Sequence, residues 1–135
     1  MKIYYREKSG GIEILRCFGI EGRVEIPGMI DGKLVISAAP YAFSSHMDEK
    51  EDLKNASLWE VSDGLEFGRE EHVLAGNDVE EIVFPYTLKE IGRYIFYGCG
   101  NLKKLEFSDS LMQIGCGAFT GCHALEKLTV DMRQG

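Results

Sequence analysis

Apolar positions recur along this chain at an interval of 23 residues. Val79, Leu102 and Leu125 form one column, Ile82, Leu105 and Leu128 a second, and Phe84, Phe107 and Val130 a third. The same offset relates Leu88 to Leu111, Ile91 to Ile114, Gly92 to Gly115, Phe96 to Phe119, Gly98 to Gly121 and Cys99 to Cys122. A fixed period of this length marks a repeat architecture. Within each unit the alternation Ile82-Val83-Phe84, with its equivalents, predicts a short strand whose apolar residues point inward while Val83, Glu106 and Thr129 point outward. The chain then crosses the core through Leu88-x-x-Ile91-Gly92 and returns through Ile95-Phe96-x-Gly98-Cys99 or Ala118-Phe119-x-Gly121-Cys122. Glycines at the corners permit positive φ or close backbone approach. One coil cannot bury its own interior, so coils must stack with parallel strands about 4.8 Å apart. The predicted fold is a β-rich solenoid with a parallel sheet and one short strand per repeat.

Each unit opens on an L-x-x-L-x-L-like phrase, Val79-x-x-Ile82-x-Phe84 and its successors, which is the strand phrase of leucine-rich repeats. The segments Ile91-Gly92-Arg93-Tyr94-Ile95-Phe96-Tyr97-Gly98-Cys99-Gly100-Asn101-Leu102 and Ile114-Gly115-Cys116-Gly117-Ala118-Phe119-Thr120-Gly121-Cys122-His123-Ala124-Leu125 resemble the bacterial BspA-type leucine-rich repeat, I-G-x-x-A-F-x-G-C-x-x-L. Ile95 stands where that repeat has alanine and implies local repacking. The resemblance covers residues 79–130 and implies a leucine-rich-repeat protein that binds another protein and carries no catalysis. Upstream, residues 21–45 read as a degenerate first repeat, because Val24-Glu25-Ile26-Pro27 parallels Ile82-Val83-Phe84-Pro85 and Ala42-Phe43 parallels Ala118-Phe119. Pro27 to Phe43 spans 16 residues where Pro85 to Phe96 spans 11, so five are inserted around Ile30-Asp31-Gly32-Lys33-Leu34. The phrase Ile26-Pro27-Gly28-Met29-Ile30-Asp31-Gly32-Lys33-Leu34-Val35 is similar to the opening coil of that family.

The remaining segments complete a single domain over residues 1–135. Ile3-Tyr4-Tyr5 and Ile12-Glu13-Ile14 flank Ser9-Gly10-Gly11, which predicts a β-hairpin cap over residues 1–20. Residues 46–78 form an acidic insertion, partly helical: Asp48 to Glu60 lacks Gly and Pro and places Leu53, Ala56 and Trp59 at helical intervals. Residues 131–135 are too few to cover the last coil, which points to a truncated chain, a missing downstream region or a partner at that end, a homodimer among the readings.

Charge and chemistry narrow the function. The formal charge of −7, with nine acids against three bases in residues 48–71, disfavours nucleic acid as a partner. No apolar run reaches the roughly 18 residues of a membrane helix and no signal-peptide core opens the chain, so a cytoplasmic protein without a membrane partner is expected. Cys17, Cys99, Cys116 and Cys122 contain no CxxC pair. His46, His72 and His123 share no catalytic motif. Neither an enzyme, a cofactor nor a metal is expected. Cys99 and Cys122 share one repeat position and read as buried packing residues, with Cys116 the exposed thiol. Three alternatives remain: a thiol-based redox or metal protein using Cys116, Cys122 and His123, a host-adhesion protein if the chain is exported, and a purely structural segment of a larger assembly. The main expectation is a partner-binding sheet face carrying Glu81, Lys104, Glu106, Lys127 and Thr129. Against it stands simple solvation of the sheet, since Glu80, Lys103 and Glu126 alternate in sign as stabilising neighbours do.

Overall fold

The computed structural model describes residues 1–19, 22–44, 53–60, 72–73 and 79–131. One sheet carries the outward strand of every coil: β3 (Arg23–Glu25), β8 (Glu81–Val83), β10 (Lys104–Ser108) and β12 (Lys127–Asp131), all parallel. Lys104 pairs with Lys127 and with Glu81, so the register of the ladder is the repeat itself. Val24 pairs with Ile82, which sets the degenerate coil in line with the regular ones. The opposite side of each coil carries a second strand: β5 (Lys33–Ala38), β9 (Glu90–Ile91) and β11 (Gln113–Ile114). The sheet they form continues into β2 (Gly11–Gly19) and its hairpin partner β1 (Lys2–Lys8), so the cap extends the solenoid wall across the first coil. The five inserted residues form a second small hairpin, β4 (Met29–Ile30) against the start of β5. Its turn, Asp31-Gly32, has φ of 52° and 76°. Positive φ at both central residues is what a two-residue hairpin turn requires.

Between the sheets lies a core of stacked columns. Val24, Ile82 and Leu105 are buried in one, and Phe84 stacks on Phe107 at 5.1 Å in the next. Phe43, Phe96 and Phe119 form an aromatic column with ring separations of 6.1 and 5.8 Å, and Phe84 meets Phe43 edge-on at 5.7 Å. Each such burial contributes about 1.5–3 kcal/mol, with ring pairing adding to it. The corner glycines show why the repeat is so regular. A Cβ on Gly92 would lie 2.3 Å from the Pro40 nitrogen, and one on Gly115 would lie 2.2 Å from the Arg93 nitrogen. At this corner, backbone packs on backbone from coil to coil.

The insertion differs from the helix expected over Asp48–Glu60. Leu53–Asn55 is a single 3-10 turn, and Ser57–Glu60 is a strand, β6, that pairs antiparallel with β1 through Ile3↔Trp59 and Tyr5↔Ser57. The helix-compatible spacing lost to a tertiary demand: β1 offers an open sheet edge, and pairing it satisfies backbone groups that a free helix would leave exposed. Trp59 is half-buried and packs against the core from this strand. The first half of the expected helix, residues 48–52, lies outside the described residues, as does most of residues 61–78. His72–Val73, β7, pairs with the end of β2. Among the described residues no helix is long and apolar enough to cross a membrane.

Candidate functional site

The five residues expected to bind a partner fall together on the sheet of β3, β8, β10 and β12. Arg23, Glu81, Lys104 and Lys127 form one column across the strands, and Glu25, Val83, Glu106 and Thr129 the next. Arg23 was not among the expected residues. It was legible all the same, since aligning Val24 with Ile82 puts Arg23 in the column of Glu81. Arg23 holds Glu25 at 2.6 Å and Glu81 at 3.3 Å, and the hydrogen bond to Glu25 raises its pKa above the ordinary arginine value. In the neighbouring column Lys103 lies 3.8 Å from Glu80. Lys104 and Lys127 break this pairing: they are exposed side by side, and among the described residues neither forms an ion pair. Like charges directly opposed across strands destabilise a sheet by a few tenths of a kcal/mol, roughly up to 1. Gly22, Glu80, Lys103 and Glu126 join this face in lining an open groove of about 490 Å³.

A second polar cluster sits on the other sheet. Glu13 is buried and receives Arg6 at 2.5 Å, Lys8 at 3.1 Å and the Ser37 hydroxyl at 2.9 Å. Lys8 and Ser37 also donate to Glu90, at 2.6 and 3.0 Å. The Lys8 contact lowers the Glu90 pKa, and the Glu90 contact raises that of Lys8. Glu13, Ser37, Glu90 and Gln113 occupy successive strands, so the cluster ties the cap to the first two coils. Arg16, buried in β2, donates to the carbonyls of Tyr41 and Ser44 at 2.6 and 2.5 Å and holds the return turn of the first coil.

The thiols answer to packing. Cys99 donates its S–H to the Phe43 carbonyl at 3.1 Å, and Cys122 repeats this one coil later with the Phe96 carbonyl at 3.4 Å. Burial pushes the Cys99 thiol up to about 12, with Cys122 adding a little, and burial also raises Cys122. Both shifts move away from the thiolate that redox or metal chemistry needs. Cys116 is exposed. Among the described residues no cluster of three His, Cys, Asp or Glu side chains suits a metal ion.

Known proteins agree with this geometry. Residues 70–133 match the family described as BspA type leucine rich repeat region (6 copies). The fold is similar to that of a leucine-rich cell surface protein from Faecalibacterium prausnitzii A2-165, with a TM-score of 0.62 and 20% identity over 96% of this chain and 30% of that one. The chain therefore spans under a third of that neighbour's length. A leucine-rich repeat protein of T. pallidum aligns with a TM-score of 0.42 and 17% identity, over 96% of this chain and 82% of that one. No curated protein matches the sequence. With its 23-residue ladder, glycine corners and cysteine column, the region 70–133 is a BspA-type leucine-rich repeat region.

Proposed function

We propose that this chain is a non-catalytic protein-binding module whose charged strand face docks an acidic segment of another protein. The observation that carries this reading is the exposed Lys104 and Lys127 pair, set side by side on adjacent strands and, among the described residues, outside the ion pairs that join Arg23 to Glu81 and Lys103 to Glu80. An acidic partner would relieve their repulsion and extend the alternation. Stacked coils hold these side chains in place before binding, so little ordering entropy is lost on association. Glu81, Glu106 and Thr129 border the pair and would set the register of the partner.

The test is affinity capture from a lysate of the native organism, comparing the parent with Lys104→Glu and Lys104→Glu/Lys127→Glu. A partner with an acidic segment, retained by the parent, weakened by added salt and lost with both variants, is the expected result. A partner bound equally by all three proteins overturns the sheet-face reading. We infer a cytoplasmic site of action. The surface location named for the F. prausnitzii neighbour supports the adhesion alternative, and fractionation of native cells separates the two.

A further inference from the structure

The outward positions of the strand face form rows that cross the coils. One row holds Arg23, Glu81, Lys104 and Lys127, and the next holds Glu25, Val83, Glu106 and Thr129. Val83 is the sole apolar side chain in either row. It borders a hollow of about 180 Å³ toward the C-terminal ends of β8 and β10, walled by Val83, Pro85 and Tyr86 on one side and by Glu106 and Ser108 on the other. The repeat does not require an aromatic residue here: one period after Tyr86 stands Asp109, and aligning Val24 with Ile82 puts Gly28 at the same place in the first coil. Tyr86 is nonetheless 51% exposed at the hollow. Its backbone is held in position. The Ser108 hydroxyl donates to the Tyr86 carbonyl at 3.2 Å, the Ser110 hydroxyl donates to the same carbonyl, and the Leu88 N–H closes a turn on the Pro85 carbonyl at 3.2 Å. A single exposed apolar side chain carries no meaning, whereas two that depart from the repeat and meet at one concave site mark contact with a ligand.

We propose that this hollow is the specificity pocket of the sheet face and takes one apolar side chain of the same acidic segment that docks on Lys104 and Lys127. The inference rests on the sheet-face reading and adds to it the sequence pattern of the partner. Strand geometry supplies the spacing. Lys104 and Ser108 are four residues apart, about 13 Å along β10 at about 3.3 Å per residue. A segment lying extended along the strands turns every second side chain to the sheet, so an acid over the lysines places the residue four positions away over the hollow. Midway between them Glu106 stands on the same face and repels a second acid. The preferred partner is therefore an extended segment with an acid at one end, an apolar residue four positions from it, and no acid at the facing position between. Main-chain extension gives such a segment its reach, and pockets for alternate side chains give it specificity.

The test is selection of a phage-displayed random-peptide library on the immobilised 135-residue chain, with the retained sequences scored for pairs of an acid and an apolar residue at every spacing. Pairs four positions apart are expected in about tenfold excess over pairs three apart, the gain from taking one apolar side chain out of water. Tyr86→Ser, alone and with Val83→Ser, should still retain acidic peptides and lose that excess, each variant being checked for folding by circular dichroism. Lys104→Glu/Lys127→Glu should lose the acidic peptides themselves. Acidic peptides with no preference for a spacing of four, or an excess that survives both Tyr86 variants, overturns this inference and leaves the sheet-face reading standing. A parent that retains no acidic peptides overturns both.

Discussion

Replacing Gly92 by alanine tests the coil-stacking argument most directly. The new Cβ would sit 2.3 Å from the Pro40 nitrogen and 2.7 Å from the Ala39 carbonyl carbon, both main-chain atoms of the coil before it. Ordinary carbon contacts begin about 1 Å farther out, so no rotamer change relieves the overlap and the coils must separate. Separation lengthens the hydrogen bond from the Gly92 N–H to the Ala38 carbonyl, now 2.8 Å, and loosens the Phe43 and Phe96 rings that the same two coils bring together. Overpacking of this kind costs about 3 kcal/mol, the upper part of the usual range. Gly100→Ala is the control: nothing lies within 4 Å of its Cβ, and a glycine replaced without strain is neutral or gains up to about 1 kcal/mol. Urea unfolding followed by the fluorescence of Trp59 should place the Gly92→Ala midpoint about 1–2 M below the parent, and that of Gly100→Ala at or above it. Equal midpoints for the two variants would refute the claim that backbone contact between coils fixes glycine at this position.

Two further outcomes follow from the polar cluster and the thiols. The Glu90 pKa is lowered by Lys8 in the folded protein, so its contribution is present above the unfolded carboxylate pKa and is lost as pH falls through the lowered folded value. Glu90→Gln should therefore unfold more easily than the parent at pH 7, by under about 1 kcal/mol for a pair this exposed. The gap should close in acid, as urea midpoints across pH will show. A gap that widens toward low pH would contradict the assignment. In a thiol titration at neutral pH, Cys116 should react promptly and Cys17 and Cys99 only on unfolding, with Cys122 between them. Labelling of Cys99 at the rate of Cys116 would show that the cysteine column is not held by packing.

The solenoid was legible because its cause is local and repeated. Each coil meets the same neighbours at the same positions, so burial writes one requirement at every period: Ile82 and Leu105 for the inner strand, Phe96 and Phe119 for the return, Gly92 and Gly115 for the corner. The degenerate first coil could be aligned on the same grounds, and its strand register follows that alignment. The charged columns were legible too, since a strand alternates its faces whatever surrounds it.

What the chain could not reveal in one dimension was decided by contacts between distant segments. Residues 57–60 carry no period of their own that outweighs helical spacing, and they became a strand because β1 presented an edge to fill. Sequence order also hides that Glu13, Ser37 and Glu90 share one ladder, which folding assembles from three turns of chain. Arg23 pairs with Glu81, and that ion pair is what sets Lys104 and Lys127 apart from the rest of the face. Periodic burial is a property of each residue and its repeat, and so it survives in the sequence. Pairing of edges and charges depends on which surfaces meet, and these exist only once the coils have stacked.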